Sequence, residues 1–506
     1  MSFVAKQTDL RVARFVALVA LCAGLSVFAV WWQGLREDHV PTVSHDQLGS
    51  ARVFAAADYL RHLQIMVDEP AARGDSAQRG LLKYSRLVGR SVDGLPSTSA
   101  AQSVVARLPG CDVLSVTLDP RDWTGENGIY TNYTKRGRSA QRGACVSLFS
   151  DGELVAATTA GVCIHGGTSR GQVEKSLRLL LNAEFGSVGS ASDLLPGALG
   201  ASLVVHNDVR DMPFCNPMAY EVLGRIGCDV PLFRPVRLVV NGELLKRVYF
   251  LTEHLSESYV EEKVGHRQFI RHDERGGRSR VYAKLVWEIA RGDDGMASYE
   301  SRVDCDGVIA WLTGVLFCGS IDNRQGIAYV DLNEMCWRWV AWDLDWSFRP
   351  WPKRFVGRVI TRTSVTQHMR KHLGDLRSTM FDRLMARDGE FRARLLRQVS
   401  RALNHQWRPP WLRALVGRYR ALADTYLARG RHGEYLDAIE EFVLDRPAAM
   451  RLELIKEFGV GPTYACEIEA PDGAAFIVDG HRYDQAAVFH YFAGQEIEIQ
   501  AGDGCA

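Results

Sequence analysis

No excess of charge of either sign marks this sequence. Sixty-one lysines and arginines stand against 60 aspartates and glutamates, a formal charge of +1 over 506 residues. With that balance and no long basic stripe, there is no electrostatic ground for binding nucleic acid. C-x-x-C pairs are missing, which removes the usual framework of a zinc ribbon. The Walker loop, H-E-x-x-H and the kinase strings H-R-D and D-F-G are missing too. P-loop NTPases, zincin proteases and conventional protein kinases are thereby set aside. Internal repeats and low-complexity tracts are absent.

One long apolar run is present, at residues 15–32 (FVALVALCAGLSVFAVWW). A helix needs about 20 residues to cross the hydrocarbon, and about 17 suffice. Trp31 and Trp32 end the run with side chains suited to the lipid–water interface. Lys6, Arg11 and Arg14 precede it, whereas Arg36 is offset by Glu37 and Asp38. The positive-inside rule then puts residues 1–14 in the cytoplasm and the globular part outside. A cleaved signal peptide is the rival reading, but its apolar core is normally shorter and ends in an A-x-A-like site, which is not found. The expectation is an uncleaved single-pass anchor over 15–32. Of 11 cysteines, Cys22 lies in the run. The other ten are an even number, which fits disulfides in an oxidising compartment, and buried free thiols are the equal alternative.

Hydrophobic residues make up 46% and charged residues 24%, enough to bury a real core. Residues 33–104 are polar and mixed, with helical spacing at 58–67 and 80–88, and read as a stalk or helical lead-in. From Cys111 onward strands are expected at 113–118 and 144–149, with 153–162 following, then a Gly-rich turn at His165-Gly166-Gly167-Thr168-Ser169-Arg170-Gly171 and a possible strand at 175–181. Residues 236–240 and 248–252 flank Asn241-Gly242, a hairpin signal because that pair tolerates the positive φ of a tight turn. Residues 281–286 read as a further strand, 303–317 as a helix, and 327–330 with 337–342 as a strand pair. Residues 375–458 have helical spacing, broken at Pro409-Pro410. A small β module is expected at 462–506.

Chemistry concentrates in Trp342-Asp343-Leu344-Asp345. Side chains alternate faces along a strand, so Asp343 and Asp345 would share one face, with Trp342, Leu344 and Trp346 opposite. Two neighbouring carboxylates in aromatic surroundings repel unless a cation lies between them or one is protonated. Mg²⁺ commonly takes one or two carboxylates plus substrate phosphates. The plain alternative is a solvated strand edge with two surface aspartates.

Further motifs bear on that choice. His165 to Arg170, followed by Glu174-Lys175-Ser176-Leu177-Arg178, resembles the G-x-S-R…K-K-S-[YF]-R motif of the CotH (spore coat protein H) kinase-like family. The segments 236–243 and 248–253, ending in Glu253, resemble that family's hairpin. Val281-Tyr282-Ala283-Lys284 is similar to its "LYK" strand. Ile321-Asp322-Asn323 and residues 339–348 are similar to its "D-x-x-x-N…WDxD" pair. Residues 442–458 and the tail resemble its closing segments. The resemblance runs over roughly 105–504, in order.

It implies an α+β, divergent protein-kinase-like two-lobed fold at 105–458 followed by a small β tail; the helical spacing at 375–458 makes up its C-terminal part, and the apolar run at 15–32 adds one N-terminal transmembrane helix. It implies use of ATP and Mg²⁺ (or Mn²⁺) to phosphorylate Ser or Thr hydroxyls of a protein substrate. Asp322 would face the hydroxyl, and Asp343 would hold the metal with Asp345 and Asn323 in support. Lys284 would contact ATP phosphates, paired with Glu253. Arg170 and Lys175 would lie near phosphate. A structural ion pair for Lys284 and Glu253, a loop cap for Asp322 and surface charges for Arg170 and Lys175 stand beside these roles. The family's Asn a few residues after its catalytic aspartate has no counterpart at that spacing here; either Asn323 or Gln325 substitutes, or a second metal ligand is missing. A non-catalytic surface or adhesion module and nucleotidyl transfer to protein hydroxyls are the other functional readings.

Overall fold

A computed structural model describes residues 98–187, 189–207, 213–273, 279–320, 322, 325–348, 369, 375–427, 432–469 and 475–501. The expected anchor at 15–32, residues 33–97 of the expected stalk at 33–104, and Asn323 lie outside the described residues. Among the described residues no helix is long and apolar enough to cross a membrane.

After α1 (Thr98–Val105), seven strands close a barrel: β1 (Val113–Thr117), β2 (Arg142–Ser150), β3 (Glu153–Ile164), β4 (Leu177–Leu180), β5 (Ser202–His206), β6 (Phe233–Val240) and β7 (Glu243–Glu253). The order around the barrel is β1-β2-β3-β4-β5-β7-β6, and the seam is a parallel pairing of β6 with β1. The expected hairpin forms: Asn241 and Gly242 have φ of 51° and 82°, the positive pair that a two-residue turn needs. Alternation decides which face of each strand is inside. Leu177 and Leu179, Leu203 and Val205, and Tyr249 and Leu251 fill the barrel. Arg178, Val204 and Thr252 therefore point outward, as do His206 and, by continuation of β3 and β7, His165 and His254.

The rest is largely helical. Between α2 (Cys215–Arg225), α3 (Glu257–Val264), α4 (Arg280–Arg291) and α5 (Cys305–Cys318) sits a three-stranded antiparallel sheet of β8 (Phe269–Asp273), β9 (Gly326–Asp331) and β10 (Trp337–Ala341), in the order β10-β9-β8. Every residue of α5 but Asp306 and Gly307 is buried, and α5 packs on α2 and on α6 (Leu376–Arg387), α7 (Gly389–Arg401) and α9 (His432–Phe458). The helix α8 (Pro409–Tyr426) starts at the Pro409-Pro410 break, where proline is tolerated because the first N–H groups of a helix have no partner within it. Beyond α9 come β11 (Thr463–Ile468), β12 (Phe476–Val478), β13 (His481–Tyr483), β14 (Ala487–Phe492) and β15 (Ile499–Ala501), which form two small sheets. The architecture is thus mixed helix and strand.

One element differs in kind from the sequence expectation. Residues 281–286 lie in α4, not in a strand. Tyr282, Leu285, Val286 and Ile289 form its buried stripe, and Ser279 caps it by accepting the Tyr282 N–H. A spacing of three, four and seven is the helical period.

Candidate functional site

Asp322 and Asp343 are brought to one edge of the β9–β10 ladder. Gly326 pairs with Ala341 at that end, four residues after Asp322 and two before Asp343. The side chain of Gln325 donates to Asp322 Oδ2 at 2.8 Å. Gln325 is buried, so this contact fixes the carboxylate from the chain's interior side.

Strand geometry stops at Ala341, which corrects the same-face expectation for Asp343 and Asp345. Asp343 adopts φ 56°, in the left-handed region, and Asp345 falls in the following turn. Two side chains of α2 hold this loop. The Asp343 N–H donates to the Tyr220 hydroxyl at 3.1 Å, and the Leu344 N–H donates to Asn216 Oδ1 at 2.8 Å. Leu344 is fully buried, which anchors the segment between the two aspartates.

The outer face of the barrel meets this loop. Trp342 lies edge-on to His165 and His206, with ring centroids 6.3 and 6.2 Å away. His206 Nε2 is 3.8 Å from Asp343 Oδ1. His254 packs edge-on against His165 and makes a 2.8 Å hydrogen bond between its Nδ1 and Ser202 Oγ. Burial holds His165 and His254 well below the usual imidazole range, and the positive charge of Arg178 adds to this at both. Both rings are therefore neutral near pH 7. Arg178 is thus the guanidinium next to this histidine face, and its buried Nε has no hydrogen-bond partner. It was present in the sequence motif, but nothing there gave it a role. His206, Asn216 and Tyr220 carried no recognisable signal at all, since their part depends on the packing of β5 and α2 against the loop.

The other expected phosphate-contacting residues are placed differently. Lys284 sits on the outer face of α4, 78% exposed at its side chain, with Nζ 3.9 Å from Glu288. Its expected partner Glu253 is buried at the end of β7, where its two carboxylate oxygens accept the N–H groups of Leu199 and Leu232, both at 2.7 Å. The Lys284–Glu253 pair is not formed, because one turn of helix carries Lys284 away from the core that a strand would have faced. Burial pushes the Glu253 carboxyl up, and the two N–H donors oppose the shift.

Lys175 is buried, donates to the carbonyls of Arg170 and Gln172 at 2.7 Å each, and lies over the rings of Tyr130 and Tyr133. Burial lowers its ammonium pKa, and Arg170 lowers it further. Arg170 donates to the carbonyls of Gly166 and Tyr133. These two cations brace the Gly-rich turn. Gly166, at φ 104°, is required there, since a side chain would also collide with Ser169. The string Gly167-Thr168-Ser169-Arg170-Gly171 fits G-x-S-x-G, yet it runs as a 3₁₀ turn between β3 and β4 rather than the strand–turn–helix of a nucleophile elbow.

Among the described residues no three His, Cys, Asp or Glu side chains group as a metal cage. A nucleotide-bound Mg²⁺ or Mn²⁺ needs none, since phosphate oxygens and water complete its shell. Asp343, partly exposed on a braced turn, fits such a role.

Residues 282–436 match the family model described as CotH kinase protein. Lys284, Asp322, Asn323, Asp343 and Asp345 fall inside that match; Arg170, Lys175 and Glu253 precede it. No curated protein matches the chain. Among solved structures, the HipA–HipB–operator DNA complex of a Shewanella oneidensis MR-1 toxin–antitoxin system matches at 10% identity and TM-score 0.27, over 78% of this chain and 82% of that one. At that score the likeness carries nothing further. The similarity to the CotH kinase family thus lies over residues 282–436.

Proposed function

We propose that the protein is a membrane-anchored atypical kinase that moves the γ-phosphoryl group of ATP to a Ser or Thr hydroxyl of an exported or surface protein. The observation that carries this reading is the convergence of Asp322 and Asp343 at one edge of the β9–β10 ladder. Phosphoryl transfer asks a protein mainly for positioning and charge stabilisation. Asp322, steadied by Gln325, accepts the proton of the attacking hydroxyl. Asp343 would hold the divalent ion, with Asp345 in the same loop in support. That ion supplies charge neutralisation on the phosphate oxygens. Arg178 supplies the cation that Lys284 does not. The two-lobed kinase-like description belongs to this reading, with the barrel as one lobe and the helical part as the other. So does the anchor at 15–32, which leaves the site extracytoplasmic and in need of an ATP supply there.

A second reading has a specific observation in its favour. Lys284 is exposed and Glu253, Arg170 and Lys175 are committed to backbone groups, as in a non-catalytic binding or adhesion module built on the same fold. Incubation of the protein with Mn²⁺ or Mg²⁺ and ATP labelled at the γ- or α-phosphate separates the readings. Transfer of γ-label to protein hydroxyls supports the kinase. α-Label transfer means nucleotidyl transfer instead, and no metal-dependent nucleotide binding leaves the binding module. Protease accessibility of residues 33–506 in spheroplasts tests the topology, and protection there overturns it.

A further inference from the structure

We infer that His206 is a second protein ligand, beside Asp343, for the divalent ion of this site, and that its imidazole shifts the site's preference from Mg²⁺ towards Mn²⁺. This rests on the phosphoryl-transfer reading above. The geometry is the starting point. His206 Nε2 and Asp343 Oδ1 are 3.8 Å apart, too far for a hydrogen bond. Two donors each about 2.1 Å from one ion can be separated by up to roughly 4 Å. Both atoms are thus within reach of one ion.

Neither donor is free to drift. His206 is the last residue of β5, paired with Phe250 of β7, and Leu203 and Val205 of the same strand are locked in the barrel. Its ring is flanked by Trp342. Asp343 is fixed from the other side by Tyr220 and Asn216 through the backbone of its own turn. The barrel and the helical part therefore each contribute one donor. Ion binding would clamp the two across their junction.

Donor chemistry sets the preference. Mg²⁺ demands oxygen ligands in near-ideal octahedral geometry and gives up water reluctantly. Imidazole nitrogen is a poor ligand for Mg²⁺, whereas first-row transition ions bind it with an affinity that rises from Mn²⁺ towards Cu²⁺. Mn²⁺ accepts carboxylate, phosphate and imidazole together. An all-oxygen site shows no comparable bias.

The test uses the full chain in detergent with Mn²⁺ and ATP. Electron spin echo modulation of bound Mn²⁺ is expected to show a ¹⁴N coupling that disappears in His206→Gln. Titration is expected to show Mn²⁺ affinity falling about tenfold in that variant, in the range that loss of ligand support produces, with Mg²⁺ affinity changed less than about twofold. His206→Asn gives a second variant, and unchanged melting midpoints show that both fold. Bound Mn²⁺ without a histidine-dependent ¹⁴N coupling overturns the inference while the kinase reading stands. Equal weakening of Mg²⁺ and Mn²⁺ overturns the selectivity. If Asp343→Ala leaves binding of both ions intact, the phosphoryl-transfer reading falls and the inference falls with it.

Discussion

Glu253 carries a carboxylate into a nearly closed environment, and two backbone N–H groups make that tolerable. Removing the acceptor strands both donors, and each buried unsatisfied donor costs about 1–3 kcal/mol. Glu253→Ala should therefore lower unfolding free energy by about 2–6 kcal/mol in a denaturant titration, and nucleotide affinity should follow only through that loss. Lys284 has the opposite standing. Its exposed i,i+4 contact with Glu288 is worth a few tenths of a kcal/mol. Lys284→Ala should leave both melting midpoint and ATP affinity unchanged, and a tenfold loss of ATP affinity would restore the lysine to the site. Gln325 is different again. Its side chain donates to the Asp322 carboxylate, so Gln325→Ala should slow label transfer roughly tenfold while metal-dependent nucleotide binding persists. Loss of binding together with transfer would show that Gln325 is structural only.

At the scale of elements, the docking of the C-terminal β module is one feature with a measurable pH response. Ala402–Gln406 forms a π-helical turn, and its Asn404 exchanges two hydrogen bonds with the backbone of His490. His405 from the same turn contacts the Tyr483 hydroxyl through Nδ1 and Asp479 through Nε2, and stacks on His481. Burial brings the His405 imidazole down to about 4 against the pull of Asp479, so the ring is neutral in the fold. Between about 6.5 and 4 the unfolded chain binds more protons than the folded one. Stability is complete above 6.5 and falls as pH drops through that window, by about 3 kcal/mol for a shift of this size. His405→Gln should flatten that slope in melting curves recorded from pH 7 to 4; an unchanged slope would assign it elsewhere.

How much of each element could be read from sequence follows from period and length. The hairpin at Asn241-Gly242 was legible because its turn chemistry is local. Residues 281–286 misled because a short, largely apolar run opened by Val281-Tyr282 was read alone, and a run of that length does not tell strand from helix. Carried on to Ile289, the same residues show the helical stripe that the fold buries. Asp343 and Asp345 were legible as neighbouring acids just past a strand, but not as a left-handed turn, because the Tyr220 and Asn216 contacts that stabilise it come from more than 120 residues away. The histidine face was legible only as scattered residues. It needs the register of β3, β5 and β7, which strand closure alone supplies.

At the scale of the whole molecule, barrel closure removes the edges that an open sheet leaves exposed, and the helical part packs on its outside. All nine described cysteines are free thiols. Burial pushes the thiols of Cys145 and Cys305 up to about 11 and 12, which makes them inert at neutral pH. A reductant should then leave the melting midpoint unchanged, whereas loss of a native disulfide costs about 2–5 kcal/mol and would show as a clear drop. Free thiols do not by themselves decide the compartment, so the anchor at 15–32 stands on its own topology test. The central claim is that Asp322 and Asp343 form one phosphoryl-transfer site with divided roles. The most direct measurement is transfer of γ-labelled phosphate, recorded beside metal-dependent ATP binding, for the full chain, Asp322→Ala and Asp343→Ala. The account predicts that Asp322→Ala abolishes transfer but keeps binding, and that Asp343→Ala loses both. Transfer that survives both substitutions, or an intact chain that binds no metal–nucleotide, would contradict it.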